Sequence, residues 1–156
     1  MQLSIVGCPD KKLFRPYVKR AAIFYAQELM KPKMLENIYL RIKFNGKIPV
    51  YGYAEILEYN ESRKAREFEI EINPNIGAAD ILKCLAHEMV HIKQFVRGHY
   101  KSEKSRNGKY KKFWLGEQVL AKYEKQPWEV EAYKKQGILL DSLLTTISRK
   151  IKRLQK

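Results

Sequence analysis

This chain has little cysteine, little histidine, few acids for its number of bases, and no long apolar run. Only Cys8 and Cys84 occur in 156 residues. Two thiols with no metal-ligand spacing between them build no disulfide framework, which excludes the small secreted scaffolds that depend on one. Each reads as a small buried thiol in a reducing compartment. No apolar stretch approaches the roughly 18 residues of a membrane span, so an integral helical membrane protein is excluded. The opening segment MQLSIVGCPDKK has only a short apolar run and no basic region ahead of it. A secretory leader is therefore not expected, and the expected setting is the cytoplasm. Neither internal repeats nor low-complexity tracts interrupt the sequence.

Acids are the scarcer charge: 17 Asp and Glu against 31 Lys and Arg leave a formal charge of +14. Such a surface favours encounter with polyanions or acidic partners through long-range attraction, and says nothing about fold. An apolar fraction of 45% with ten tyrosines supports a folded globule. At 18.5 kDa, residues 1–156 are expected to form one domain.

Hydrophobic periodicity predicts an α+β chain. From Leu13, Phe14, Val18, Ala21, Ala22, Tyr25 and Leu29 share one helical stripe, with Pro16 in the first turn and Pro32 past the end. In NIYLRIKF, Ile38, Leu40, Ile42 and Phe44 alternate with polar residues, the period of a half-buried strand. PVYGYAEILEY reads as an edge strand, and REFEIEIN puts Phe68, Ile70 and Ile72 on one face against Glu67, Glu69 and Glu71 on the other. The expectation is a small three-stranded, mostly antiparallel sheet. A second helix follows, to about Val96, with Ile81, Leu82, Leu85, Met89, Ile92 and Val96 as its packed back. Residues 99–112 read as a basic loop, FWLGEQVL as a short hairpin, and Pro127 onward as a last helical region with a weak point at Gly137 and a basic tail over 148–156.

Two of the three histidines lie in CLAHEMVHIKQ, as His87-Glu88-x-x-His91. Histidines at i and i+4 of a helix point the same way, about 40 degrees apart, and can grip one tetrahedral ion. The intervening glutamate is then near enough to take a proton from a metal-activated water. His87 and His91 fall opposite the apolar back, so both imidazoles are expected to face outward. By composition alone the pattern arises in roughly one such chain in two hundred, so context must support it.

A third ligand is required, and PWEVEAY offers Glu129 and Glu131. Two residues apart on a helix, they diverge by roughly 200 degrees, so at most one faces the ion and the other is solvated or braces a ligand. His99, eight residues beyond His91, is the competitor, read more readily as a loop residue or substrate contact. Gln94, three after His91, either orients a ligand or substrate or lies plainly on the surface. Tyr123, Tyr133, His99 and Arg97 are unranked candidates for stabilising an oxyanion.

HEMVHIKQFVRG, FWLGE and PWEVEAY together resemble the small, phage-type zinc metallopeptidases with His-Glu-x-x-His-x-x-Gln and Pro-Trp-Glu-x-Glu-Ala, a minimal zincin fold. The likeness covers about Ala86 to Tyr133. It implies a Zn²⁺-dependent peptidase in which His87 and His91 are zinc ligands and Glu88 is the catalytic acid and base. A phage-encoded member would work in the host cytoplasm on a protein or peptide. The chain is also similar to the gluzincins, whose ligand glutamate stands in Glu-x-x-Ala; this selects Glu129, with Ala132, over Glu131. Residue 97 is Arg, so the metzincin third histidine is absent. The SprT-like proteases, which act on DNA-bound protein, share the short motif but use a histidine well downstream, and no histidine follows His99 here. The alternative reading is a basic nucleic-acid-associated or assembly protein with a structural or inactive zinc site. It rests on Lys101, Lys104, Arg106, Lys109, Lys111 and Lys112, interleaved with Tyr100, Tyr110, Phe113 and Trp114.

Overall fold

The computed structural model describes residues 1–60, 64–105 and 107–154. Arg106, and Gln155 and Lys156 of the basic tail, lie outside the described residues. In chain order the elements are β1 (Gln2–Val6), α1 (Phe14–Leu29), the single turn α2 (Pro32–Leu35), β2 (Tyr39–Phe44), β3 (Gly52–Tyr59) and β4 (Ala65–Ile72). These are followed by α3 (Ala78–Arg97), β5 (Tyr100–Lys104), β6 (Tyr110–Trp114), β7 (Glu117–Val119), a 3₁₀ turn (Tyr123–Lys125) and α4 (Pro127–Leu154). The architecture is α+β, as the periodicity predicts. No helix is long and apolar enough to cross a membrane among the described residues.

The main sheet has four strands, not three, in the order β1-β2-β4-β3. The expected antiparallel sheet is corrected: β1 pairs parallel with β2 and β2 parallel with β4, and only β3 with β4 is antiparallel. The short apolar run before Cys8 is the extra strand. Its register, Leu3 opposite Leu40 and Ile5 opposite Ile42, extends the apolar face that β2 begins. Ile42, Ile70 and Ile72 on that face are fully buried, each stabilising by about 1.5–3 kcal/mol relative to exposure. Helices α1 and α3 cover it, with Val18, Ala21, Ala22, Tyr25, Leu85, Met89 and Ile92 completing one core.

The opposite face of the sheet is polar but not bare. Glu69 and Glu71, expected to face solvent, are buried on the inner strand β4. Arg41 pairs with Glu69, while Lys43 Nζ lies 2.6 Å from Glu71 and Asn45 donates to it at 2.8 Å. The Lys43 and Asn45 bonds outweigh the cost of burial and hold the Glu71 carboxyl below its ordinary range.

Strand β3 is an edge, as Gly52 and Pro49 suggest, and it lies close to α3. A Cβ built at Gly52 would sit 2.6 Å from Cys84 Sγ and 2.7 Å from the Glu71 carbonyl. Only a missing side chain allows that approach, one helical turn before Glu88. Helix α3 ends where Gly98 takes φ +66° and returns its N–H to Gln94 and Phe95, the left-handed stop that glycine supplies.

Residues 99–112 are not a loop. Tyr100–Lys104 and Tyr110–Trp114 pair antiparallel, and β7 joins across Leu115-Gly116 as the expected hairpin. Alternation here was masked by lysines on both faces. Helix α4 runs unbroken through Gly137; buried Ala132, Leu139 and Leu143 on either side of it join the core and hold the helix.

Gly52→Ala should lower the unfolding free energy by about 1–3 kcal/mol in urea titrations, the cost of overpacking. Cys84→Ala in the same chain should restore only part of it, because the Glu71 carbonyl still meets the new methyl group.

Candidate metal centre

Helix α3 carries His87 and His91 on the side turned from the sheet, as the pattern predicts, with Glu88 about 100 degrees round from His87 at the border of the apolar back. These residues are not open to solvent, however, because α4 lies across them. His87 is 8% exposed, Glu88 5% and His91 9%. The sequence shows α3's apolar back but not that a second helix would cover its polar front.

The covering helix begins with the motif PWEVEA, and each residue of it has a visible task. Pro127 occupies the first helical position, where no N–H is needed. Trp128 is 3% exposed and packs its ring 4.6 Å from Tyr100, with Lys112 Nζ 5.6 Å above it. That clamps the first turn of α4 between α3 and the small sheet. Glu129 lies in this first turn, where the helix dipole favours a carboxylate, and points at the two imidazoles. One turn later Ala132 is fully buried, and a methyl group there lets α4 approach α3 closely.

Three donor side chains converge. His87 Nε2 and His91 Nε2 are 3.2 Å apart. Glu129 Oε2 is 3.3 Å from the first and its Oε1 3.6 Å from the second. Metal–nitrogen and metal–oxygen bonds of about 2.0–2.2 Å at tetrahedral angles place ligand atoms roughly 3.3–3.4 Å apart. The three side chains therefore have the spacing that one small divalent ion requires, and this group can hold a metal ion.

The protonation of the ligands follows from their outer partners. Gln94 is fully buried, and its Nε2 donates to the Trp128 carbonyl and to Glu131 Oε2, both at 3.0 Å. Both partners accept only, which fixes the amide's orientation and leaves Oε1 to accept from His91 Nδ1 at 2.8 Å. The proton of neutral His91 is thus on Nδ1, and its Nε2 lone pair faces His87. Gln136 Oε1 lies 3.2 Å from His87 Nδ1 and sets the same tautomer there. Two lone pairs and a carboxylate then meet with no hydrogen between them, and Glu129 Oε2 is buried without a hydrogen-bond partner. A cation resolves this repulsion.

The electrostatics agree. Burial would raise Glu129, but the two histidines and Tyr123 draw it down to about 2. Burial opposes charge on His91, yet Glu129 and Glu88 outweigh it and raise its basicity. Glu88 behaves differently: burial pushes its carboxyl up, Glu129 adds to this, and the imidazoles offset part of it.

The remaining candidates divide. Glu131 turns away from the donor cluster, as the helical angle requires, and pairs with the buried Lys93 while accepting from Gln94. Tyr133 sets its ring edge-on to His87, centroids 4.7 Å apart, and Tyr123 reaches Glu129 from the 3₁₀ turn. His99 stands instead against Trp114 at 5.8 Å, on the seam with the small sheet. Gln136 was not foreseen. Its signal was its position seven residues after Glu129, two helical turns along the same face.

In chelator-competition titrations with Zn²⁺, Glu129→Ala should abolish tight binding. Gln94→Leu should weaken it by about 10–100-fold, the usual cost of losing an outer partner. Glu131→Ala should fall between Gln94→Leu and the unaltered protein, since Gln94 keeps the Trp128 carbonyl; if instead Glu131→Ala loses more metal than Glu129→Ala, the ligand assignment is reversed.

No family model, curated protein or solved structure matches this chain.

Proposed function

We propose that the chain is a zinc-dependent peptidase of minimal zincin type, with His87, His91 and Glu129 as zinc ligands and Glu88 as general base. The observation that carries this reading is the trio of donor separations, 3.2, 3.3 and 3.6 Å, assembled from residues far apart in sequence. When bound, a zinc ion supplies Lewis acidity, polarising a carbonyl and lowering the pKa of water from about 15.7 toward about 7.

The chain's own residues supply the rest. A carboxylate whose affinity for a proton is raised by burial can both accept a proton from the attacking water and return it to the leaving amine, and Glu88 has that property. Gln94 and Gln136 hold the two imidazoles by Nδ1 and keep them from rotating. Tyr123, whose phenol bears on Glu129, and Tyr133, whose ring stands against His87, are the candidate donors for charge developing on a carbonyl oxygen, whereas His99 stands against Trp114. Edge strand β3, beside the turn of α3 that carries Cys84, offers free backbone groups on which an extended peptide can pair.

The basic strands favour a protein substrate with an acidic surface over direct nucleic-acid binding. Two of the four rings counted toward a stacking platform, Tyr100 and Trp114, are turned onto Trp128 and are engaged in packing. Of the other two, Phe113 is half-buried and Tyr110 is 66% exposed. Lysines of β5 and β6 then act mainly through long-range attraction.

Glu88→Gln should retain zinc, measured by elemental analysis after gel filtration, while hydrolysis of an unstructured protein substrate such as casein falls by at least about 10²-fold. Wild-type turnover in that variant would remove Glu88 from the mechanism. Loss of zinc would instead make it a ligand.

A further inference from the structure

We propose that the groove between α1 and the C-terminal half of α4 docks an acidic, amphipathic helical segment of a partner protein. This surface is separate from the metal centre. Its α4 residues begin at Leu143, 14 residues past Glu129, or about 21 Å along a helix. The proposal does not depend on the chain being a peptidase.

The groove encloses about 850 Å³. Its walls are two helices, and Leu82 at the start of α3 contributes to its lining. Phe24, Ile147 and Ile151 give it an apolar character, and Ile151 is 50% exposed despite lying on the helix face that elsewhere packs inward. An apolar channel between two helices is the shape that a third helix fills, inserting side chains at i, i+3, i+4 and i+7. The charge of its border selects among such helices. Arg20, Lys150 and Arg153 border the groove, and no Asp or Glu is among its lining residues. A helix flanked by carboxylates is attracted there and one flanked by lysines is repelled. The same charge disfavours a second copy of this chain, which would bring another +14 to the contact.

The test uses the full chain and a fluorescently labelled synthetic helix of about 18 residues, five turns, with Leu and Phe on one face and Glu on its flanks. The comparison peptides are a scrambled version of the same composition and a version with Lys in place of Glu. Micromolar binding is expected for the acidic amphipathic peptide alone. It should weaken by at least about tenfold in Ile151→Glu and severalfold in the pair Lys150→Glu, Arg153→Glu. Ile151 is half exposed, so the fold should survive, and an unchanged circular dichroism melt is the check; Ile151→Ser serves as a milder variant if it does not. No binding, equal binding of the scrambled or lysine peptide, or indifference to both position-151 variants overturns the proposal. So does a concentration-dependent dimer in sedimentation that Ile151→Glu dissolves, which would assign the groove to a second copy. Association with phosphatidylserine vesicles that Ile151→Glu removes, without peptide binding, would assign it to a lipid surface.

Discussion

The packing of α4 on α3 brings three metal-ligating side chains to one point. Where the helices meet, two neutral imidazoles and a carboxylate present lone pairs to one another in a space nearly shut from water. Unpaired acceptors so placed repel, and at the low dielectric of a buried site the repulsion is strong. A proton on His91 relieves it in part, which is why that ring's basicity is raised. A divalent ion relieves it fully, because it accepts all three donors at once. Metal binding at these residues would therefore be coupled to the docking of α4, and the three side chains belong to the packing of the domain as well as to the candidate site.

Around that point the residues form concentric roles. The two imidazoles are held by glutamine amides, Gln94 is held by Glu131 and by the Trp128 carbonyl, and Glu131 is held by Lys93. Lys93 is 4% exposed, and so buried a lysine persists only with a partner. Burial lowers its basicity and Glu131 restores part of it. The side chain thus fixes Glu131, which fixes Gln94, which fixes the tautomer of His91. Trp128 connects the chain to the small sheet, so the hairpin strands support the metal site through an aromatic contact without approaching the ion.

Much of this was legible from residue types and spacing, because local periods determine local faces. The i, i+4 histidines, the divergence of Glu129 from Glu131 and the apolar stripes of α1 and α3 are all consequences of helix geometry within a few turns. What the sequence concealed was non-local. Parallel pairing of β1 with β2 and of β2 with β4 joins segments separated by dozens of residues, and alternation alone does not say which neighbour a strand has. The burial of Glu69 and Glu71 follows from β4 being an inner strand, and Arg41, Lys43 and Asn45 reach over from β2 and the turn after it. Strands β5 and β6 looked like a loop because Lys111 and Lys112 are consecutive and occupy both faces. Gln136 shared a helical face with Glu129, but a glutamine on a helix becomes an orienting group only through what α4 is laid against.

With the proposed ion bound, the charges of the centre would favour a reactive site over a structural one. A structural zinc site closes all four positions with protein ligands, whereas a catalytic one leaves a position for water. Among the described residues, three donors converge here, and Glu88 is in electrostatic contact with them without joining the group. A divalent ion with Glu129 as its one anionic ligand keeps a net charge of one, and ionised Glu88 balances it. Both imidazoles donate to neutral amides rather than to carboxylates, so their basicity is not enhanced from behind. An ion so ligated would retain more of its Lewis acidity than one held by anionic thiolates, and the counter-charge it needs would sit on Glu88, the carboxyl proposed as the base. In such a centre the charge that stabilises the ion and the base that the reaction requires are the same carboxyl group.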